Sequence, residues 1–97
     1  MGLAARLKQY GLSEAEYVRK LDEQGGMCAI CEEQPATDID HDHVTGRVRG
    51  LLCGPCNRGL GHFRDNPEVT RSATEYLEGW RHWSWYGSDH INTKIGF

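Results

Sequence analysis

The sequence predicts a small α+β fold in which a β-hairpin and the helix after it are tied together by a cysteine cluster. Three observations lead to this prediction. The chain has 97 residues, which favours a single domain. Hydrophobic residues make up 38% of it, below the roughly 45–50% of an average globular domain, so the apolar core is expected to be thin. Four cysteines form two C-x-x-C pairs, Cys28/Cys31 and Cys53/Cys56, with a candidate hairpin between them.

The two cysteine pairs predict a structural zinc site. Zinc held by four thiolates has a closed tetrahedral shell, so such a site supports folding and leaves no position for a substrate. Residues 1–10 lack the apolar stretch of a secretory leader, and no apolar run approaches the roughly 18 residues of a membrane span. A reducing cytoplasm, away from the membrane, is therefore the expected compartment. Two disulfides or a redox dithiol are the alternatives, although a redox C-x-x-C normally sits in a βαβ pattern.

Two helices are predicted before the first cysteine pair. Residues 3–10 have a weakly helical pattern. A second helix is expected at about residues 14–23, because Ser13 and Glu16 match a capping box and Gly25-Gly26 follows as a terminator. The residues expected on its buried face are Tyr17, Val18 and Leu21.

The middle of the chain predicts a hairpin followed by a helix. Strands are expected at residues 36–40 and 47–52, joined by a polar loop with a glycine near its end. The second C-x-x-C pair begins a helix with Pro55 in its first turn. Asn66 is expected to cap a last helix, whose apolar residues recur at helical spacing: Val69, Ala73, Tyr76, Leu77 and Trp80.

A run of carboxylates and imidazoles lies between the cysteine pairs, Asp38-Ile39-Asp40-His41-Asp42-His43. Alternate residues of a strand share a face, so the carboxylates are expected on one side and the imidazoles on the other. Asn57 directly follows Cys56, so closure of the zinc site is expected to bring it to the Asp40 end of the hairpin. A solvated polar loop and a second zinc or nickel site are the alternatives for the run, and a turn or cap is the alternative for Asn57.

These residue types suit the hydrolysis of a phosphodiester. That reaction needs a base for water, a Lewis acid at the phosphate, and positive groups along the backbone. Histidine titrates near neutral pH, and a carboxylate with an amide oxygen suits Mg²⁺. Between residues 44 and 71 there are only two acids but five arginines, Arg47, Arg49, Arg58, Arg64 and Arg71. The net charge of −3 is unlike that of a typical DNA-binding domain, so an ordinary solvated surface is the alternative for these arginines.

A longer motif carries a resemblance to a known family. It comprises Cys28-x-x-Cys31 and Asp40-His41-Asp42-His43-x-Thr45-Gly46-x-Val48-Arg49-Gly50-Leu51-Leu52-Cys53-x-x-Cys56-Asn57-x-x-Leu60-Gly61. Upstream, Tyr10-Gly11-Leu12-Ser13-x-x-x-Tyr17 also matches. Over residues 6–66 the chain resembles the recombination endonuclease VII family of phage HNH endonucleases.

The resemblance implies a zinc-stapled ββα-metal domain (HNH, or His-Me finger) with flanking helices that acts as a divalent-metal-dependent DNA endonuclease. Asp40 and Asn57 would bind the catalytic Mg²⁺ or Mn²⁺. His41 would be the general base, and His43 would assist at the phosphate or the metal. The cysteines would bind structural zinc, and three arginines are expected to contact DNA, namely Arg47, Arg49 and Arg58.

The predicted organisation is a single endonuclease domain over residues 1–97, with N-terminal helices at 1–26, a zinc-stapled core at 27–66, and a C-terminal helix and aromatic tail at 67–97. DNA is the expected partner, and a second copy of the chain or a phage assembly protein is a further candidate. The alternative is a non-catalytic four-cysteine zinc module that binds nucleic acid or a phage packaging or recombination partner. The aromatic tail is either a docking surface or a small satellite core.

Overall fold

The computed structural model describes residues 2–80. Its elements, in chain order, are α1 (Leu3–Gln9), α2 (Glu14–Glu23), β1 (Asp38–His41), β2 (Val48–Leu52), α3 (Gly54–His62) and α4 (residues 67–80). The predicted small α+β class is confirmed, with one two-stranded antiparallel sheet among the described residues. In the same part of the chain no helix is long and apolar enough to cross a membrane. The predictions for the tail after Trp80 lie outside the described residues.

The chain divides into two compact units, one ending at Gly61 and one beginning at His62. The first unit contains α1, α2 and the sheet, together with nearly all of α3. The second contains α4, which Asn66 caps as predicted, because its side-chain Oδ1 accepts a hydrogen bond from the backbone N–H of Glu68 at 2.9 Å. The single-domain arrangement stays a prediction.

Helix α2 begins and ends where the sequence predicts. The Ser13 hydroxyl accepts a hydrogen bond from the backbone N–H of Glu16 at 3.1 Å, and the Glu16 carboxylate accepts one from the N–H of Ser13 at 3.0 Å. These two bonds are the reciprocal pair of a capping box. Tyr17 and Leu21 pack against the core as expected, but the prediction for Val18 is wrong, since it is 48% exposed. Tyr17 and Leu21 are one helical turn apart, and Val18 is turned away from the stripe that they form.

Gln24 ties the end of α2 to β2. Its side-chain Nε2 donates hydrogen bonds to the carbonyl oxygens of Met27 and Leu51, both at 2.8 Å. Its Oε1 accepts a bond from the N–H of Leu51 at 3.0 Å. The amide therefore satisfies both backbone groups of Leu51, as a neighbouring strand would.

Strand β1 begins two residues later than the sequence predicts. The backbone N–H of Ala36 donates to the carbonyl of Gly26 at 3.0 Å, so the chain is paired with the turn after α2 before it enters the sheet. Strand β2 begins at Val48, one residue after the predicted start. The polar loop is confirmed, and Gly46 closes it with a φ of 76°, a conformation that favours glycine.

Strand β2 separates two buried clusters. Consecutive strand residues point to opposite faces. Leu51 therefore packs into an apolar core with Leu7, Leu12 and Ile39. Leu52 packs on the other side, in a cluster that contains Cys28, Cys53 and the partly buried Leu60. One strand thus forms a shared wall between the apolar core and the cysteine cluster.

Candidate functional site

The four cysteines converge on one point in the first unit. Their sulfur atoms all lie within 4.8 Å of one another, and those of Cys31 and Cys53 are 3.9 Å apart. A tetrahedral zinc with bonds of about 2.3 Å separates its sulfurs by about 3.8 Å. None of the four is in a disulfide, and the geometry fits a four-thiolate zinc site better than the disulfide alternative.

Backbone hydrogen bonds stabilise the thiolate of Cys28 within this cluster. Burial raises the pKa of the Cys28 thiol, but hydrogen bonds from the backbone at Cys53, Cys31 and Ile30 outweigh it and bring that pKa to about 6. The hydrogen bond with the Cys53 sulfur raises the pKa of Cys56 to about 12. Four neighbouring thiolates repel one another, and a central divalent cation removes that repulsion.

In the described residues no other group of three or more His, Cys, Asp or Glu side chains converges in this way, which argues against the second zinc or nickel site.

Asp40 is a buried carboxylate held by an arginine. The Arg49 Nε donates to Asp40 Oδ2 at 2.7 Å, and one terminal nitrogen of Arg49 donates to Oδ1 at 2.9 Å. Asp40 is only 7% exposed. Both oxygens of the predicted metal ligand therefore accept hydrogen bonds from a residue that the sequence predicts to contact DNA. The bidentate fork is the strongest form of such an ion pair.

Asn57 reaches the hairpin from the first turns of α3. Its Nδ2 donates to Asp38 Oδ2 at 3.1 Å. Asp38 and Asp40 are two residues apart on β1, which puts their side chains on one face of the strand. The structure thus brings Asn57 to strand β1 of the hairpin, with Asp38 rather than Asp40 as its hydrogen-bond partner. An amide that donates through Nδ2 keeps its oxygen for a further contact.

The two histidines of the run lie on the same side, as predicted. The ring centroids of His41 and His43 are 5.0 Å apart in an edge-to-face arrangement. On its other side His41 contacts the Tyr10 ring, with centroids 4.8 Å apart. His41 is half-buried and His43 is exposed. Tyr10 therefore supports the ring of His41 from the end of α1, while the Nε2 and Nδ1 atoms of the imidazole are the groups with chemistry to offer.

Asp42 is a turn residue, although the alternation predicted that it would join the carboxylate face. Its Oδ1 accepts backbone hydrogen bonds from Val44 at 2.7 Å and Thr45 at 3.1 Å. These two bonds hold the pKa of Asp42 below its ordinary value. Because β1 ends at His41, the strand alternation does not extend to this position.

The other two arginines predicted to contact DNA are exposed. Arg47 lies at the end of the hairpin loop, next to Asp42 and Thr45. The Arg58 guanidinium packs closely against Gly54 at the start of α3. A Cβ atom placed on that glycine would be 3.0 Å from a guanidinium nitrogen, so the close approach depends on the absence of a side chain at Gly54. Both side chains are in the same unit as His41 and His43.

Sequence reasoning missed the contacts of three residues that shape this site, although it named Asp38 in the Asp/His run and Tyr10 in the family motif. Asp38 is the partner of Asn57, and the period-two pattern with Asp40 was the signal for it. The contacts of Tyr10 and Gln24 were missed because their partners are distant in sequence, at His41 and Leu51. No local pattern reports such contacts.

Comparisons with known proteins agree with the resemblance. A family model described as recombination endonuclease VII matches residues 4–79. The Gene 59 protein of Mycobacterium phage L5 is 45% identical over an alignment of 76 residues, and the match covers 73% of this chain and 46% of that protein. The Gene 59 protein of Mycobacterium phage D29 is 43% identical with the same coverage.

The chain thus spans about half the length of the curated relatives that it matches. No solved structure matches it. The family model nevertheless covers α1, α2, the hairpin, the four cysteines and most of α4. The chain therefore belongs to the recombination endonuclease VII family.

Proposed function

We propose that the chain is a divalent-metal-dependent DNA endonuclease with a ββα-metal (HNH, His-Me finger) core. The observation that carries the proposal is the joining of β1 to α3 beside the cysteine cluster, through the bond between Asn57 and Asp38. It brings the amide of Asn57, on α3, to the strand that bears Asp38, Asp40 and His41. Family membership supports DNA as the substrate.

In this proposal His41 is the general base. It takes a proton from water as the water oxygen bonds to phosphorus, and the bond from phosphorus to the leaving oxygen breaks. The Tyr10 ring holds the imidazole in one orientation, which limits the rotamers that the base must search. His43, exposed beside it, would contact the phosphate or the metal.

The oxygen donors of Asp40 and Asn57 are hard ligands that fit Mg²⁺ or Mn²⁺, which take few protein ligands and keep several waters. When bound, the cation would stabilise charge on the phosphate and on the leaving oxygen. Zinc in the cysteine cluster would hold α3 against the hairpin, so its role would be structural. Arg47 and Arg58 are the exposed cations proposed to contact the DNA backbone.

The host cytoplasm is the proposed location, with a second copy of the chain or a phage assembly protein as a proposed partner. A non-catalytic zinc module that binds nucleic acid or a phage packaging or recombination partner is the second candidate. It is favoured by one observation, the ion pair that already neutralises Asp40. A pure binding module needs no cation at that carboxylate, whereas a nuclease does.

The test is cleavage of supercoiled plasmid by zinc-loaded wild type and by His41→Ala, each with Mg²⁺, with Mn²⁺ and with neither. We expect nicked or linear product only from the wild type and only with added cation. Loss of the base is expected to lower the rate by about 10²- to 10⁴-fold.

His62→Ala is the matched control, because His62 is exposed in the last turn of α3 and has no proposed role. It is expected to cut like the wild type. If His41→Ala also cuts like the wild type, His41 is not the base. If folded, zinc-loaded wild type cuts neither plasmid nor a four-way junction, the binding module becomes the better account.

A further inference from the structure

We propose that Arg49 is a built-in cation that neutralises Asp40 until a divalent metal arrives, and that metal binding displaces it. This inference rests on the proposed function, because it takes Asp40 as a metal ligand. It adds a competition within the site: the same carboxylate has two cationic partners and holds one at a time.

The geometry of the pair supports a competition. Arg49 donates to both oxygens of Asp40, at 2.7 and 2.9 Å. A small cation such as Mg²⁺ binds directly to one or both of those oxygens. Two positive groups at one carboxylate repel each other, and the repulsion is large where water is excluded.

The two partners differ in their access to water. The side chain of Asp40 is 9% exposed, whereas that of Arg49 is 37% exposed. An ionised carboxylate this buried needs a cation to stay charged and folded, and Arg49 supplies it in the metal-free protein. A displaced guanidinium, in contrast, can turn toward solvent or toward a phosphate bound near the metal.

The position of Arg49 in the sheet also fits this role. Asp40 pairs with Gly50 and His41 pairs with Val48, so Arg49 is an extra residue in the ladder of β2. A bulge of this kind redirects a side chain and loosens the local backbone. Arg49 can therefore leave Asp40 without breaking a regular strand pair.

The first test is Mn²⁺ binding to the zinc-loaded full chain by isothermal titration calorimetry. Arg49→Gln removes the competitor, and we expect Mn²⁺ to bind about 5- to 150-fold more tightly than to wild type. Arg6→Gln is the matched control, because Arg6 lies beside the start of β1 but donates to the carbonyl of Thr37 and not to a carboxylate. Its loss is expected to change Mn²⁺ affinity less than threefold. Equal or weaker binding to Arg49→Gln would overturn the inference.

The second test uses the wild type, so it does not depend on the variant folding. In a ¹H–¹⁵N NMR spectrum the Nε–H of Arg49 is expected to show slow exchange with water while it donates to Asp40. Saturating Mg²⁺ should speed that exchange, while the Arg6 signal stays unchanged.

If Mg²⁺ binds and the wild type cuts DNA while the Arg49 signal stays protected, this inference is wrong and the proposed function stands. If neither wild type nor Arg49→Gln binds Mn²⁺ or Mg²⁺ at millimolar concentration, both are wrong.

Discussion

The cysteine cluster and the Asp40–His41 site adjoin the same hairpin, yet they are built in opposite ways. Four sulfurs of one chemical type converge within 4.8 Å around a buried point. At the polar site each group is instead paired with a different partner, Asp40 with Arg49 and Asn57 with Asp38. His41 is half-buried and His43 is exposed.

Under the proposed function, the two arrangements serve different purposes. A closed shell of four ligands gives a metal no open position, so its binding energy goes into folding. A site whose ligands are held by protein partners stays folded without its cation and can exchange those partners for metal and substrate. We expect the two sites to respond separately to substitution.

The largest expected effect is on folding, from Cys28→Ser. Loss of one thiolate should release zinc and abolish cooperative thermal unfolding, because zinc binding to such sites is worth on the order of 10 kcal/mol. Circular dichroism and elemental analysis measure the two changes. A variant without zinc that still unfolds at the wild-type temperature would contradict a structural role for the cluster.

Gln24→Ala should be next, at about 2 kcal/mol of unfolding free energy. It leaves the N–H of the buried Leu51 without its partner, while the Leu51 carbonyl keeps the hydrogen bond from the N–H of Ala29. Urea denaturation measures the loss, and Gln9→Ala at the exposed end of α1 is the control. Because the substitution removes none of the four cysteine ligands, zinc content should stay at one per chain. A loss no larger than that of the control would mean that water replaces the amide.

Asp40→Asn changes the polar site and leaves the four cysteine ligands in place. The asparagine keeps an oxygen for Arg49 but loses the charge, and Arg49 is exposed enough to be hydrated. We therefore expect about 1–2 kcal/mol of destabilisation, unchanged zinc content, and loss of DNA cleavage. Loss of zinc from this variant would show that the two sites are not separate.

Glu16→Gln should have the smallest effect, and it lies in the capping box of α2. The backbone N–H of Ser13 holds the pKa of Glu16 below its ordinary value. The carboxylate therefore adds stability above its ordinary pKa, and that contribution is lost as pH falls through the lowered pKa of the folded state. The difference in thermal midpoint between wild type and variant should shrink between pH 7 and pH 3, with cleavage unaffected. A difference that grows on acidification would have the wrong sign.

The sequence was sufficient for features that depend on neighbouring residues. The capping box at Ser13, the helix from Glu14 to Glu23 and the cap at Asn66 all follow from local chemistry, and each was found as predicted. The cysteine cluster was predictable for a different reason: zinc accepts few ligand types, so two C-x-x-C pairs leave few arrangements.

The sequence was not sufficient where one residue type has several partners. An arginine on a hairpin suits a phosphate and a carboxylate equally, so the pairing of Arg49 with Asp40 was not predictable. The bulge that permits this pairing depends on the register of the sheet. The residues next to Arg49 do not indicate that register. The observed start of β1 differs from the predicted one for a similar reason, because Ala36 pairs with Gly26, ten residues away in the chain.

The most direct test of the account is a Mg²⁺ titration of plasmid cleavage in protein that carries one zinc per chain. We expect no cleavage without added Mg²⁺ and saturable cleavage with it, while zinc content and the circular dichroism spectrum stay constant. We also expect removal of zinc, with Mg²⁺ present, to unfold the protein. Cleavage by zinc-loaded protein without a second cation, or full activity in zinc-free protein, would contradict a structural role for the cysteine cluster and a catalytic role for the cation at the polar site.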